Sequence, residues 1–341
     1  MITASRQFDL GRDTTHIKDL RDAHRQQATV VAILNRFFHA DQEQRRELQV
    51  LADEVGMGKT YIALGVAYSL LQAMQGRSYP AVLDGCYQKV LILTPQNSAL
   101  FTKWVNETGE FVSRCVKPEH QPEAKIWFKP VPIDRLDELA VGLRRSGNGP
   151  KVLVASTSLF RGGKLRHYGL KRRWLLGILF RHWGSRFRTD QRERLLRGAP
   201  EDWPRDPYRL SDLDDTQREL IPYSDDEALN ALASLDSEEL LARCREISEP
   251  FVRDRQGLFE EVGKRLVDLY RKLCIKLIQR ALPLVVVDEA HNWKNGPENG
   301  TNGFFGFRDM IANRTRRILL LTTTPFQLHP NEMLELLRIT D

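Results

Sequence analysis

LADEVGMGKT, residues 51–60, decides the fold. A short apolar run at 48–51 leads into it. Residues 62–74 follow with helical spacing, Ile62, Val66, Leu70 and Met74 forming a stripe beside Ala63, Ala67 and Leu71. The order is strand, glycine turn, helix. Gly56 and Gly58 allow close approach to an anion, and the helix starting there presents free N–H groups and the positive end of its dipole. Such a turn cradles a nucleoside triphosphate, with Gly56, Met57, Gly58, Lys59 and Thr60 around it. Lys59 is expected to reach the β- and γ-phosphates and the Thr60 hydroxyl to ligate Mg2+. The full phosphate-loop pattern has a further glycine where this chain has Asp53.

Five continuous apolar runs, 48–51, 90–93, 152–155, 284–287 and 318–321, are of the kind that form strands buried on both faces of a parallel sheet. Helix-periodic segments separate them, including residues 19–38 with Val31, Ile33, Leu34 and Phe37 as the apolar side. This is βα alternation, and it predicts an α/β domain. Each run ends in polar residues: Asp53-Glu54, Thr94-Pro95, Ser156-Thr157, Asp288-Glu289 and Thr322-Thr323-Thr324. Ligands of open α/β sheets bind beyond the carboxyl ends of the strands, so function is expected on that edge. The run LVVVDEAH, residues 284–291, places Asp288 there to hold Mg2+ and Glu289 to orient or deprotonate the attacking water.

Taken together, ADEVGMGKT, DEAHNWKN and LLLTTTPFQ resemble motifs I, II and III of superfamily 2 helicases, specifically the Swi/Snf-type DNA translocases. The matching residues are Asp53, Glu54, Lys294, Asn295, Thr324, Pro325 and Gln327, and the likeness extends to Thr94, Pro95 and Trp104 and to Ser156 and Thr157. The resemblance covers roughly residues 20–110, 150–160 and 284–341. It implies a RecA-like parallel sheet sandwiched by helices, a P-loop NTPase using ATP and Mg2+, with Lys59, Asp288, Glu289 and His291 as catalytic residues and Thr60 and Asp288 holding the metal. It also implies double-stranded DNA bound at Thr94, Pro95, Ser156, Thr157, Lys294 and Asn295, and coupling through Thr322, Thr324 and Gln327. An adenine contact is expected from Gln26, although His24 sits at the family's strict offset after Leu20-Arg21. Motif III reads Thr-Thr-Thr where Ser/Thr-Gly/Ala-Thr is usual, and the spacing from Thr60 to Asp288 is about twice the family's.

The family adds a second RecA-like lobe with arginine fingers, each commonly worth ~10³ to 10⁵ in rate. That lobe is expected on a C-terminal continuation past Asp341 or on another chain, and residues 1–341 alone are expected to bind ATP–Mg2+ weakly and hydrolyse it slowly. Two rivals stay open. One is a strand-separating helicase motor of a restriction or phage-defence complex; the other is a nucleotide-gated module that docks a protein partner.

The excess spacing predicts two domains: a RecA-like lobe over 1–160 and 281–341, and a helical insertion over 161–280. The insertion begins with many arginines and lysines interleaved with Tyr168, Trp174, Phe180, Trp183 and Phe187, then turns acidic through Asp212, Asp214, Asp215, Asp225 and Asp226. The aromatics suit either stacking platforms beside a positive groove for nucleic acid or the core of a helical hairpin whose arginines pair with the acidic half. Ser224 and Glu227 have capping-box spacing, and Leu258, Val262, Leu266, Leu269, Leu273 and Leu277 mark a long amphipathic helix.

The 341 residues carry a net charge of +6 with a pI near 9.1, which permits a polyanionic partner without demanding one. Cys86, Cys115, Cys244 and Cys274 lack metal-ligand spacing and read as reduced thiols of a cytoplasmic protein. No apolar run is long enough to span a bilayer, so no membrane partner is expected.

Overall fold

The computed structural model describes residues 1–15, 17, 19–54, 56–76, 79–145, 147–160, 168–201, 203, 214, 217, 221, 223–293 and 314–323. They fall into two compact units, Met1–Arg161 with Arg280–Asp341, and Gly162–Gln279.

The first unit is an α/β structure built on a six-stranded, all-parallel sheet in the order β1-β6-β5-β2-β4-β3. The strands are β1 (Leu48–Ala52), β2 (Val90–Thr94), β3 (Pro130–Ile133), β4 (Val152–Ser156), β5 (Leu284–Val287) and β6 (Ile318–Thr322). Alternate residues Val90, Ile92, Val152, Val154, Leu284, Val286, Leu319 and Leu321 share one core with the buried sides of α1 (Leu20–Phe37), α2 (Lys59–Gln75) and α3 (Ser98–Arg114). On the other face, α5 (Leu136–Arg144) packs so closely that a Cβ on Gly142 would sit 3.4 Å from Leu153 and Ile133. Short α4 (Gln121–Trp127) adds Trp127 to the first core. Helices on both faces explain the near-continuous apolar strands.

Two strand expectations need correction. β1 is a sheet edge and not buried on both faces, since Val50 is 42% exposed. β3 escapes the apolar pattern because Pro130 and Pro132 interrupt it, which an edge strand tolerates because proline lacks a ladder donor. In α1, Asp19 caps the N-terminus by accepting from Arg21 N at 2.8 Å. Val30, not Val31, joins Ile33, Leu34 and Phe37 in the core, a one-residue rotation of the expected stripe.

The second unit contains α6 (Tyr168–Trp183), α7 (Thr189–Arg197), α8 (Asp225–Leu232), α9 (Glu238–Ile247) and α10 (Arg255–Lys276). Helix α6 is buried on most sides despite its charged residues: Trp174, Leu175, Leu176, Ile178, Leu179, Phe180 and Trp183 are all buried, as is Phe187. Their burial removes these rings as stacking platforms for nucleic acid, and the hairpin-core alternative is the one observed. Trp174 Nε1 donates to Asp225 at 3.1 Å and Trp183 Nε1 to Ser237 at 3.0 Å. Arg181 pairs with Asp225 at 2.7 Å and Arg186 pairs with Glu238, so arginines of the basic half meet carboxylates of the acidic half. The Ser224–Glu227 capping box opens α8, and Val262, Leu266, Leu269 and Leu273 line the buried side of α10. Residues 161–167, the Tyr168 side chain, Asp212 and Asp215 lie outside what is described. Among the described residues no helix is long and apolar enough to cross a membrane.

Candidate functional site

Because every ladder is parallel, all six strands end at one edge. β1 and β5 are separated there by β6 alone, two strand spacings or roughly 10 Å. The glycine loop leaving β1 and the carboxylate pair leaving β5 are therefore brought together across the end of β6.

The loop adopts the backbone its glycines permit: Gly56 has φ +86° and Gly58 φ +82°. Gly58 is the N-cap of the 17-residue α2 and offers no side-chain cap, so the first-turn N–H groups of the helix have no side-chain acceptor there. Lys59 Nζ folds back to donate to the carbonyls of Asp53 (2.6 Å) and Glu54 (2.7 Å). Burial lowers its pKa, and Asp53, Glu289 and Asp288 oppose that shift, placing all three carboxylates within electrostatic reach of one ammonium.

Helix α1 braces the loop. Gln26 is 4% exposed and lies where a Gly58 Cβ would stand, and its Oε1 has no hydrogen-bond partner among the described residues. His24 is exposed, so of the two adenine candidates only Gln26 faces the loop. Arg25 was not anticipated as a site residue. Its guanidinium donates to Asp53 Oδ2 at 2.8 Å and to the Met57 carbonyl at 3.1 Å. The signal was Asp53 itself, since a carboxylate at the mouth of an anion-binding loop calls for a cation beside it.

At the end of β5, Asp288 N donates to Leu93 O, which aligns the carboxylates with the end of β2. Asp288 Oδ2 accepts from Trp104 Nε1 of α3 at 2.7 Å. Burial raises the Asp288 pKa; the indole N–H opposes the shift, and neighbouring Glu289 adds to it. Glu289 has φ +46°, alone in that region among the described non-glycine residues. Its Oε2 accepts from Thr323 Oγ1 at 3.1 Å and lies 3.2 Å from His291 Nδ1, which in turn is 3.3 Å from Thr322 Oγ1. A strained carboxylate held by two partners is characteristic of a functional position.

The other expected positions fare differently. Thr94 and Thr157 are buried, as is Pro95, and the Thr94 hydroxyl donates to its neighbour's carbonyl. The exposed surface beside them is residues 96–99 at the start of α3. Ser156 is half-buried and accepts from Ser158 N at 3.2 Å. Lys294, Asn295, Thr324, Pro325 and Gln327 lie outside the described residues. Thr323, which was not among the expected coupling residues, donates to Glu289. No cluster of three or more His, Cys, Asp or Glu is placed to hold a metal among the described residues.

Fold and site thus define an all-parallel α/β unit whose carboxyl edge joins a lysine-bearing glycine turn to a half-buried carboxylate pair. No protein-family model matches the chain, and no curated protein matches it.

Proposed function

We propose that the chain is the first RecA-like lobe of an ATP-dependent double-stranded DNA translocase of the Swi/Snf type, a P-loop NTPase completed by a second RecA-like lobe. The observation that carries this proposal is the convergence of Lys59 with Asp288 and Glu289 on one sheet edge.

The residues fit ATP and Mg2+. The uncapped start of α2 suits phosphate oxygens, and the unpartnered, buried Gln26 Oε1 suits an exocyclic amine. With so few clustered carboxylates, Thr60 and Asp288 would be the protein ligands of Mg2+, the remaining positions falling to phosphate and water oxygens. The bound metal would neutralise charge developing on the phosphates. Lys59, released from its own loop carbonyls, binds the same charge. Trp104 orients Asp288, leaving its second oxygen for the metal shell. Glu289, steadied by Thr323 and His291, takes the proton of the attacking water. The contacts of Glu289 with Thr323 and of His291 with Thr322 join the ends of β5 and β6, which makes them the candidates for coupling hydrolysis to movement along duplex DNA.

Titration of a fluorescent ATP analogue into the chain, with and without Mg2+, tests the nucleotide site. Saturable, Mg2+-dependent binding that ATP displaces and Lys59→Ala abolishes is expected; its absence in the unsubstituted chain refutes the proposal. Duplex-DNA stimulation of phosphate release by the complete enzyme tests the motor assignment.

A further inference from the structure

The opposite edge of the sheet carries a second cluster of charge. Residues Lys89 and Lys151 immediately precede β2 and β4, whose register pairs Val90 with Val152, and Val90 N donates to Lys151 O at 2.9 Å. The two lysines are therefore cross-strand neighbours, with side chains leaving the same face. Both are nearly enclosed, Lys89 at 8% and Lys151 at 5% exposure.

Their visible partners are all neutral. Lys89 Nζ donates to Pro150 O at 3.0 Å; Lys151 Nζ donates to Gln88 Oε1 and Gly147 O, both at 3.3 Å. An ammonium has three donors, so both side chains keep some unused. No carboxylate pairs with either lysine among the described residues, and the exposed Arg145 adds a third positive charge nearby. Enclosing one unpaired ammonium is costly, and two side by side repel as well. The Lys89 pKa falls to about 8, through burial first and then through Lys151 and Arg145. Residues 147–149 supply an open rim: Gly147 has φ +103°, Asn148 and Gly149 are exposed, and nothing lies within 4 Å of a Cβ placed on Gly149.

We infer that Lys89, Lys151 and Arg145 form a binding site for a small, doubly charged oxyanion of the inorganic phosphate class, at the amino edge of the sheet and separate from the glycine turn. The anion supplies the negative charge that the protein omits and accepts the spare ammonium donors. The site stands independently of the nucleotide-binding proposal, since it shares no residue with that edge.

Isothermal titration of inorganic phosphate into the chain, in chloride buffer of constant ionic strength at pH 7, tests it. Lys59→Ala serves as the background that removes the glycine turn as a competing phosphate site. Saturable binding is expected in that background, and adding Lys89→Met or Lys151→Met weakens it about tenfold or more, the scale of one charge-assisted hydrogen bond. No binding in the Lys59→Ala background, or binding that the methionine substitutions leave intact, overturns the site. Should the methionine variants not fold, the Lys59→Ala chain decides alone: phosphate must raise its Tm above that in chloride of equal ionic strength, and an unchanged Tm overturns the site.

Discussion

The amide of Gln26 occupies the space that Gly58 leaves by having no Cβ, so a helix preceding β1 closes directly on the turn that follows it. Gly56, two residues earlier, has a similar φ and open space around it. The pair separates two causes of glycine dependence. Gly56→Ala meets only left-handed backbone strain, about 1–2 kcal/mol, whereas Gly58→Ala meets that strain and the Gln26 side chain. Denaturant unfolding is expected to rank Gly58→Ala as the more damaging, and Gln26→Ala to recover part of the difference in the double variant. Equal losses at the two glycines would show that the contact carries no weight.

Trp104 gives Asp288 its one visible side-chain donor, inside the protein. Trp104→Phe keeps most of the packing and removes the N–H, leaving a half-buried carboxylate short of a partner at a cost of about 1 kcal/mol. Asp288→Asn keeps an acceptor for the indole and removes a charge that burial disfavours, so its stability is expected to equal or exceed that of the unsubstituted chain. Chemical unfolding of the two variants checks the opposite signs. Mg2+-dependent nucleotide binding should fall in both.

Glu289 holds a left-handed backbone with an ordinary side chain. Glycine relieves that strain and alanine does not. Glu289→Gly is expected to be more stable than Glu289→Ala by about 1 kcal/mol, although both lose the contacts to Thr323 and His291 and, on the proposed function, both would lose hydrolysis. Melting curves of the two variants measure the difference, and the reverse order would remove strain as an explanation.

Lys89 makes stability depend on alkaline pH. Its folded-state pKa, about 8, lies below the ordinary lysine value of 10.5, with Lys151 and Arg145 as the charged groups acting on it. Below pH 8 the side chain is charged in both states and its burial cost is felt in full. Between about 8 and 10.5 the unfolded chain binds more protons, so stability rises with pH across that window. Unfolding free energies measured in chloride from pH 7 to 10 should show the rise, and Lys89→Met should flatten it.

Much of the sheet was legible because buried parallel strands read as apolar runs. The observed strands continue one residue beyond four of those runs, to Ala52, Thr94, Ser156 and Thr322, because ladder pairing persists after apolar character stops. β3 was not legible, since Pro130 and Pro132 mimic a loop unless the strand is known to be an edge. Gly58, Lys59, Asp288 and Glu289 announced themselves through local spacing. Arg25 and the contact of Trp104 with Asp288 did not, because the partners lie 28 and 184 residues away and only the packing of α1 and α3 brings them in. The insertion was ambiguous for a different reason. Tryptophans and arginines in alternation describe a ligand platform and a protein core equally well until their burial is known.

Helix α3 begins with exposed residues 96–99 and reaches Trp104 after about 9 Å of rigid axis. A helical stretch that short transmits displacement with little bending. A tug at its outer tip therefore shifts the indole, and with it the carboxylate the indole grips, which makes α3 a mechanical lever between the outer surface and Asp288.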